Sequence, residues 1–281
     1  MSFDKIKSNA KINLSLNVTG KYSKLHKIES IISFISLHDN IFIKSIKSKK
    51  HNIQFFGKFS KNITKNNTII QLLKLLDKKK LLNNQKFFIK VEKCIPIQAG
   101  LGGGSMNAAN ILKYFIDKKI IYISNKDIRS ICMSIGSDVF LGFKSSNLVL
   151  TSKNKVINFF KVKKKHILIV KPVFGCSTKS VYSKVQSYNK PKLDNPKKNM
   201  FNFQYLKRLD NSLEPIVLSK FSNLRSAKNY LESLSKILFV RMTGSGSALV
   251  AYFKSKKACD IAMRQFKKVY KNYWCIVSKT I

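Results

Sequence analysis

The residues best suited to chemistry lie in a glycine-rich segment at 96–112, with the sequence PIQAGLGGGSMNAANIL. Four glycines within five positions are closed by Ser105, and apolar residues at helical spacing follow. Glycines let a backbone approach a ligand closely, and a helix N-terminus presents free N–H groups and the positive end of a dipole. The segment therefore predicts a phosphate site; the alternative is a turn that only packs a helix against a sheet.

This segment does not match the commoner phosphate loops. The pattern G-x-x-x-x-G-K-[ST] is absent, and G-x-G-x-x-G fails because Asn107 stands where the third glycine is required. The protein-kinase motifs H-R-D and D-F-G are also absent. The loop therefore belongs to another class of nucleotide-binding segment.

Four further residues are candidates for chemistry. Lys11 and Asn13 lie beside each other on the polar face of an alternating strand, where a solvated lysine is the alternative interpretation. Asp138 lies two positions after Gly136 in a segment with apolar residues on both sides, a pattern that on its own favours a turn carboxylate. His26 is one of four histidines, and a lone histidine is more often structural than functional.

The elements that must position these residues follow from periodicity and caps. Residues 38–40 predict a turn between two strands, residues 187–200 predict an exposed loop, and the second half predicts a βαβ-rich unit. The predicted strands are 9–19, 28–37, 41–46, 87–91, 148–151, 156–160, 167–171, 237–242, 248–253 and 274–277. The predicted helices are 67–76, 125–135, 181–185, 211–218, 222–234 and 256–269, with a further helix after the glycine loop.

Composition restricts the class of protein. The 281 residues are 44% hydrophobic, which suffices for a real core, and no run of eighteen apolar residues predicts a membrane span. The N-terminus has no apolar signal region, so we expect a cytoplasmic protein. The five cysteines are scattered without C-x-x-C spacing, so we expect reduced thiols and no metal site.

The net charge of +41 is the most unusual property of the composition. Of 54 basic residues only five are Arg, and the Lys residues are spread along the chain with many Asn, Ile, Phe and Tyr. Specific nucleic-acid recognition relies on Arg, whereas AT-rich codons produce this mixture. We therefore expect no specific nucleic-acid partner, although the charge should attract anionic substrates.

Three segments taken together resemble a known family. They are AKINL at 10–14, PIQAGLGGGSMNAA at 96–109 and MTGSGSALVAYF at 242–253. In this order and at these separations they resemble the three motifs of the GHMP kinase superfamily. Smaller matches, such as I-G-S-D-V at 135–139 and N-S-L-E-P at 211–215, extend the resemblance over nearly the whole chain.

The resemblance implies an α+β, two-domain GHMP kinase fold with the active site in the inter-domain cleft. The N-terminal, ATP-binding domain would span 1–160 and the C-terminal domain 161–281. ATP with Mg²⁺ and a small-molecule substrate are implied, without a membrane partner. The branch that matches best phosphorylates the 2-hydroxyl of 4-diphosphocytidyl-2-C-methyl-D-erythritol in non-mevalonate isoprenoid (terpenoid) biosynthesis. A homoserine or mevalonate type of kinase, or a weakly active relic, is the alternative.

The resemblance also implies roles for individual residues. Asp138 would be the general base, and Lys11 would lie near both Asp138 and the transferring phosphate. Asn13 and Thr178 would contact the substrate, and His26 would recognise the edge of its cytosine. Gly244–Gly246 would shape the floor between the domains.

The implied ATP contacts are concentrated in the glycine loop. The amides of 102–105 would hold the β- and γ-phosphates, and two earlier residues would lie near the adenosine. The full set is Asn67, Lys93, Pro96, Ile97, Gln98, Ala99, Gly100, Leu101, Gly102, Gly103, Gly104, Ser105 and Met106.

The chain departs from the family pattern at three places. Leu25 stands where the family usually has an aromatic residue that stacks on cytosine, and Tyr22 or Tyr188 could replace that ring. Met106 replaces a usual serine near the phosphates. Gln98 and Ala99 replace a usual pair of small residues, which should stiffen the loop.

Overall fold

The computed structural model describes residues 2–23, 25–144 and 146–281. Its chain divides into two compact units. Unit 1 comprises Met1–Ala10, Leu37–Ile97 and Gly102–Ser145, and unit 2 comprises Lys11–Ser36, Gln98–Leu101 and Ser146–Ile281. The units therefore interleave along the chain, whereas the predicted domains are consecutive; the boundary at 160 and 161 stays a prediction.

Unit 1 combines strands with helices that cover one of their faces. Its strands come from β1 (Asp4–Tyr22), β2 (Leu25–Ile46), β3 (Asn52–Phe56) and β4 (Lys86–Glu92), and its helices are α1 (Thr68–Lys78), α2 (Gly103–Asp117) and α3 (Asn125–Ile135). β4 pairs antiparallel with 40–46 of β2 and parallel with β3. The core joins Ile41, Ile43 and Ile89 to leucines of α1 and to α2, as alternating strands and amphipathic helices require.

Two helices of unit 1, α1 and α3, begin at capping residues. The side chain of Asn67 accepts hydrogen bonds from the backbone of Ile69 and Ile70, and that of Ser124 accepts one from Asp127. Such caps satisfy N–H groups that otherwise lack a partner in the first turn. The predicted helices at 67–76 and 125–135 are confirmed.

The predicted turn at 38–40 is wrong, because β2 runs without a break from Leu25 to Ile46. The polar residues that predicted the turn have partners within unit 1. Asp39 is fully buried, and Asn40 donates a hydrogen bond to Glu92 (2.8 Å). A polar triplet between apolar runs therefore marks a buried polar site here and not a reversal of the chain.

Unit 2 is built on an antiparallel sheet whose strands lie in the order β10 (Trp274–Lys279), β7 (His166–Lys171), β9 (Leu249–Phe253) and β8 (Ile237–Met242). The prediction of a βαβ-rich unit is wrong, because β8 and β9 form a hairpin and their neighbours also pair antiparallel. The strands of unit 2 beyond β1 and β2 are β5 (Asn147–Leu150), β6 (Val156–Phe159), β7 (His166–Lys171), β8 (Ile237–Met242), β9 (Leu249–Phe253) and β10 (Trp274–Lys279). Its helices are α4 (Thr178–Tyr182), α5 (Phe203–Lys207), α6 (Glu214–Lys220), α7 (Ser222–Ser233) and α8 (Lys256–Val269).

The segment at 187–200 is anchored rather than fully exposed. The buried carboxylate of Glu29 accepts hydrogen bonds from the backbone N–H groups of Lys192 (2.7 Å) and Leu193 (2.9 Å). The Leu193 side chain is buried in turn. Among the described residues, no helix is long and apolar enough to cross a membrane.

Candidate active site

The glycine loop ends in the N-terminus of α2, as predicted. Gly102 adopts a left-handed conformation (φ 70°), and the N–H of Met106 makes the first helical hydrogen bond to its carbonyl (2.9 Å). No side chain of the described residues caps this N-terminus, in contrast to α1 and α3. Gly104 is exposed, so the amides of 103–105 lie where an anion can reach them.

A buried carboxylate holds the base of this loop. Asp39 pairs with the ammonium of Lys93, accepts hydrogen bonds from the N–H groups of Cys94 and Ile95 (both 2.8 Å), and accepts another from the amide of Asn107 (2.9 Å). It thereby joins the end of β4 to the first turns of α2. A buried carboxylate that accepts hydrogen bonds from an ammonium group and from backbone N–H groups is strongly bound, so Asp39 fixes the position of the loop.

This network was missed by sequence reasoning, which assigned Asp39 to a turn. The signal was present, because Asp39 interrupts a long apolar run in a chain with only 13 acidic residues. Lys93, to which the resemblance assigns an adenosine contact, is 3% exposed and forms an ion pair with Asp39. Its Nζ lies 3.4 Å from where a Cβ on Gly103 would be, so its charge is close to the loop backbone.

Asn67 and its neighbour link α1 to the same loop. Asn67 caps α1, and the adjacent Thr68 donates a hydrogen bond to the carbonyl of Gly104 (2.7 Å). The predicted adenosine contact of Asn67 stays a prediction, since its side-chain oxygen is engaged by the helix and its amide by the carbonyl of Thr64.

Residues 98–101, assigned by resemblance to ATP binding, are bonded through their carbonyls to other segments of unit 2, to which they belong. The carbonyl of Gln98 accepts hydrogen bonds from the N–H groups of Cys176 and Ser247, and that of Ala99 accepts one from Ala248. The carbonyl of Gly100 accepts one from the hydroxyl of Thr243 (3.2 Å). Their carbonyls are therefore held by hydrogen bonds, whereas Gln98 is exposed, and the assignment of 98–101 to ATP binding stays a prediction. Pro96, just before them, is buried, and Ile97 is half-buried.

At two positions only glycine fits, because the backbones of these two residues lie in contact and leave little space for a Cβ. A Cβ on Gly100 (φ +73°) would lie 1.9 Å from the carbonyl oxygen of Thr243, and one on Gly244 (φ +55°) would lie 3.1 Å from Gly100. Asn211 fixes this turn by donating hydrogen bonds to the carbonyls of Met242 and Gly244 (both 2.8 Å). The predicted strands at 237–242 and 248–253 form this hairpin, and its glycine turn packs against Gly100.

Lys11 and Asn13 lie in the same network of unit 2. The backbone N–H of Lys11 donates to the carbonyl of Leu101 (3.0 Å), and that of Asn13 donates to the hydroxyl of Thr243 (3.0 Å). The Lys11 ammonium donates to the Asn13 side chain (2.8 Å), whose amide donates to Ser30 (2.8 Å). Both side chains are 3% exposed, so the interpretation of Lys11 as a solvated strand lysine is wrong.

Thr178 begins α4 and its hydroxyl lies 2.9 Å from that of Ser245 in the second glycine turn. The preceding loop is held by Lys171, whose ammonium donates to the carbonyls of Pro172 and Phe174 (both 2.9 Å). Burial lowers the pKa of Lys171. Thr178 is therefore exposed at the edge of a fixed loop, where a ligand can reach it.

His26 lies among aromatic rings of unit 2. Its ring centroid is 5.1 Å from that of Tyr182 and 6.4 Å from that of Tyr188. Tyr188 was predicted as a replacement for the missing aromatic residue, whereas Tyr182 was missed because only the fold brings it to His26. Leu25 itself is 71% exposed. Partial burial and then the charge of Lys21 lower the pKa of His26, so its imidazole is neutral at pH 7 and can both donate and accept.

Asp138 is half-buried in a turn that follows α3, where the N–H of Val139 donates to the carbonyl of Gly136 (3.0 Å). The turn is thus confirmed, and the role of the carboxylate stays a prediction. Met106, which replaces a usual serine, is fully buried with its sulfur 3.2 Å from where a Cβ on Gly142 would be. Its side chain therefore fills the core of unit 1 and leaves the surface of the loop to backbone atoms.

Unit 2 also contains a cavity of about 410 Å³ beside β1. Ser15 and Asn17, which follow Asn13 on the strand, line it together with Lys184, Asp210 and residues of the anchored segment. The volume is within the range of small-molecule sites. In the described part of the chain, no group of three or more His, Cys, Asp or Glu residues could hold a metal ion, and the five cysteines are free thiols.

Comparisons with known proteins agree with these features. Models of the GHMP kinases N terminal domain and the GHMP kinases C terminal domain match residues 67–148 and 189–272. The chain is 58% identical, over all of both sequences, to 4-diphosphocytidyl-2-C-methyl-D-erythritol kinase of Pelagibacter ubique. It is 31% identical to the protein of the same name from Clostridium tetani, over 99% of this chain and 100% of that one.

Solved structures support the same fold. A crystal structure of 4-(cytidine 5'-diphospho)-2C-methyl-D-erythritol kinase superposes with a TM-score of 0.79 at 20% identity, covering 99% of each chain. Homoserine kinase from Cytophaga hutchinsonii superposes with a TM-score of 0.70 at 14% identity, covering 100% of this chain and 95% of that one. The chain belongs to the GHMP kinase family and, within it, to the 4-diphosphocytidyl-2-C-methyl-D-erythritol kinases.

Proposed function

We propose that this chain transfers the γ-phosphoryl group of ATP to the 2-hydroxyl of 4-diphosphocytidyl-2-C-methyl-D-erythritol, a step of non-mevalonate isoprenoid biosynthesis, in the cytoplasm. The observation that carries the proposal is full-length identity of 58% to a kinase with that name. The hydrogen bonds that join Lys11, residues 98–101 and Thr243 support it, since they bring together residues of all three family motifs.

The phosphates of ATP bind to the N-terminus of α2 in this proposal. The amides of 103–105 donate to the β- and γ-phosphate oxygens, and the helix dipole favours their charge. Gly102 lets the chain enter the helix in a left-handed conformation, and Asp39 keeps the loop in place. Mg²⁺ needs few protein ligands when phosphates supply the others, so the donor set here fits an ion that accompanies ATP.

The acceptor is activated by removal of one proton. The Asp138 carboxylate takes the proton of the 2-hydroxyl, the oxygen attacks the γ-phosphorus, and the bond to the β–γ bridging oxygen breaks to release ADP. Lys11 offsets the negative charge that develops on the transferring group, and its bond to Asn13 fixes the direction of its ammonium. Asn13 and Thr178 orient the acceptor.

Recognition of cytosine distinguishes this acceptor from homoserine or mevalonate. A neutral imidazole at His26 offers one donor and one acceptor to the pyrimidine edge, and Tyr182 or Tyr188 offers a ring on which the base stacks. Tyr188 is 47% exposed, so its ring is available to a ligand. This cluster supports a cytidine-containing acceptor over a small acid.

The test is ADP release from Mg-ATP with each of three acceptors: the cytidylyl substrate, homoserine and mevalonate. We expect turnover with the cytidylyl substrate alone, and kcat reduced about 100-fold or more in Asp138→Asn because a general base is lost. Asp117→Asn, an exposed carboxylate at the end of α2, is the matched control and should retain full activity. Turnover with another acceptor, or none with any acceptor, would contradict the proposal.

A further inference from the structure

One face of the strands in unit 1 carries phenylalanines and lysines in alternation. The face is formed by Phe3 and Lys5 near the start of the chain, Phe42 and Lys44 of β2, Phe88 and Lys90 of β4, and Phe56 of β3. We call this set of residues the Phe–Lys face. It lies opposite the side of the strands that packs against α1, α2 and α3, because Ile41, Ile43, Phe87, Ile89 and Val91 occupy the alternate positions.

The strand register produces the alternation across neighbouring strands. Phe42 pairs with Lys90, which pairs with Gln54, and Lys44 pairs with Phe88, which pairs with Asn52. Rings and ammonium groups therefore alternate along β2 and β4 and across this pair of strands. The pattern is a property of the folded sheet and does not follow from lysine content alone.

The rings lie close to one another and to the ammonium groups. The centroids of Phe3 and Phe88 are 5.5 Å apart, and those of Phe42 and Phe56 are 6.3 Å apart. The ammonium of Lys44 lies 4.8 Å from the Phe3 centroid, and that of Lys90 lies 5.3 Å from the centroids of both Phe3 and Phe88. Phe56 is 44% exposed and the other rings are half-buried, so each presents an accessible edge or face.

The charge of this face is positive. Lys5, Lys44 and Lys90 contribute three ammonium groups, while the carboxylate of Glu92 at the border accepts a hydrogen bond from Asn40. The sequence argument against a specific nucleic-acid partner relied on the scarcity of Arg and on the spread of Lys along the chain. On this face three lysines lie close to partly exposed aromatic rings, so that argument does not exclude binding without sequence preference.

We propose that the Phe–Lys face binds single-stranded nucleic acid without sequence preference, independently of the kinase reaction. Bases stack on the phenylalanine rings, and the lysines that now lie over the rings move to the phosphates between the bases. Aromatic residues on a β-sheet surface, interleaved with positive charge, provide the two contacts that single strands use. A second copy of this chain is disfavoured, since two such faces would bring like charges together.

The experiment measures binding of a fluorescent 12-nucleotide oligouridylate by anisotropy over a range of salt concentrations, with saturating Mg-ATP present. Phe42→Leu/Phe88→Leu should weaken binding about fivefold or more for each ring, because stacking is lost while apolar volume is kept. Phe42→Tyr/Phe88→Tyr keeps the rings and should bind like the wild type. If the leucine variant also binds like the wild type, the proposal is overturned.

A matched charge control separates this face from general attraction to a protein of net charge +41. Lys44→Gln/Lys90→Gln should lower the slope of log affinity against log salt by about 1.4, which corresponds to two phosphate contacts on a single strand. Lys74→Gln/Lys126→Gln removes two exposed lysines of α1 and α3 and should leave the slope nearly unchanged. Equal effects of the two pairs would show diffuse attraction and contradict the proposal.

Two further measurements keep the result clear. Thermal unfolding and ATP turnover should be unchanged in the glutamine variants, so these test the proposal even if the leucine variant does not fold. The second measurement compares binding of the same variants to vesicles that contain phosphatidylglycerol. If the face variants lose binding to the vesicles but not to oligouridylate, the surface recognises a membrane and the proposal is wrong.

Discussion

Glycine has different roles in two glycine-rich segments of this chain. At 102–104, glycines lead into the uncapped start of α2, where Gly104 is exposed. At 244–246, glycines form a hairpin turn whose backbone lies against Gly100. The first segment leaves N–H groups open to a ligand, and the second lets two backbones touch.

The space available to a Cβ distinguishes the two uses. On Gly100 a Cβ would lie 1.9 Å from a backbone oxygen, which cannot give way without moving the hairpin. On Gly104 it would meet only the side chain of Thr68, at 3.3 Å. A run of glycines in a sequence can therefore mix positions that serve packing with positions that serve binding, and substitutions should separate them.

The largest effect is expected from Gly100→Ala. The methyl group would collide with Thr243 at a positive φ, so the free energy of unfolding should fall by about 3 kcal/mol or more. Chemical denaturation measures this loss directly. A variant as stable as the wild type would mean that Gly100 and the hairpin do not touch as described.

The next largest effect is expected from Asp39→Asn, because this substitution leaves the buried Lys93 without a carboxylate partner. We expect a loss of about 3 kcal/mol in unfolding free energy together with weaker ATP binding by calorimetry. Glu29→Gln removes another fully buried carboxylate, which anchors residues 192 and 193 of unit 2. It should reduce stability but leave ATP affinity unchanged; equal losses of ATP affinity would contradict a specific role for Asp39.

Gly104→Ala should separate binding from packing most clearly. The helix tolerates alanine, so unfolding free energy should change by less than about 1 kcal/mol. The methyl group would crowd the anion site, and we expect KM for ATP to rise about tenfold, the effect of losing roughly one strong hydrogen bond to a charged group. Gly20→Ala, where a Cβ has room, is the control and should change neither quantity.

The smallest expected effect is a pH dependence of KM for the acceptor, while KM for ATP should not be affected. The pKa of His26 lies below 6.5, so its imidazole is neutral at pH 7 and gains a proton as the pH falls through that pKa. If the neutral form recognises cytosine, KM for the cytidylyl substrate should rise a few-fold as the pH falls below about 6.5, the effect of one hydrogen bond.

This pH dependence of the acceptor KM should be absent in His26→Gln, whose amide does not titrate. KM for ATP should follow the same pH profile in the wild type and the variant. An acceptor KM that rises equally in both proteins would assign the titration to another group.

The sequence allowed the local elements to be predicted because their signals are local. Candidate caps at 66–67 and 124–125 and the apolar spacing at 256–269 predicted α1, α3 and α8 closely. The break at 38–40 was wrong because the partners of Asp39 lie more than 50 residues away along the chain. Spacing alone also could not show that Gly100 contacts Thr243, since that contact depends on how the two segments fold together.

The sequence predicted which types of residue form the candidate site, but not which contacts hold each of them. Resemblance placed 96–106 in one ATP-binding segment, which stays a prediction; spacing did not reveal that the carbonyls of 98–101 are bonded within unit 2. Tyr182 went unnoticed because only the fold brings its ring beside His26. The Phe–Lys face, by contrast, has a local signal: phenylalanine and lysine alternate in both β2 and β4.

The most direct test of the different uses of the two glycine segments is a crystal structure with Mg²⁺ and a non-hydrolysable ATP analogue. The account predicts β- and γ-phosphate oxygens about 3 Å from the backbone nitrogens of 103–105, with residues 98–101 and 244–246 unchanged. Phosphates bound instead to the turn at 244–246, or a hairpin displaced from Gly100, would contradict it.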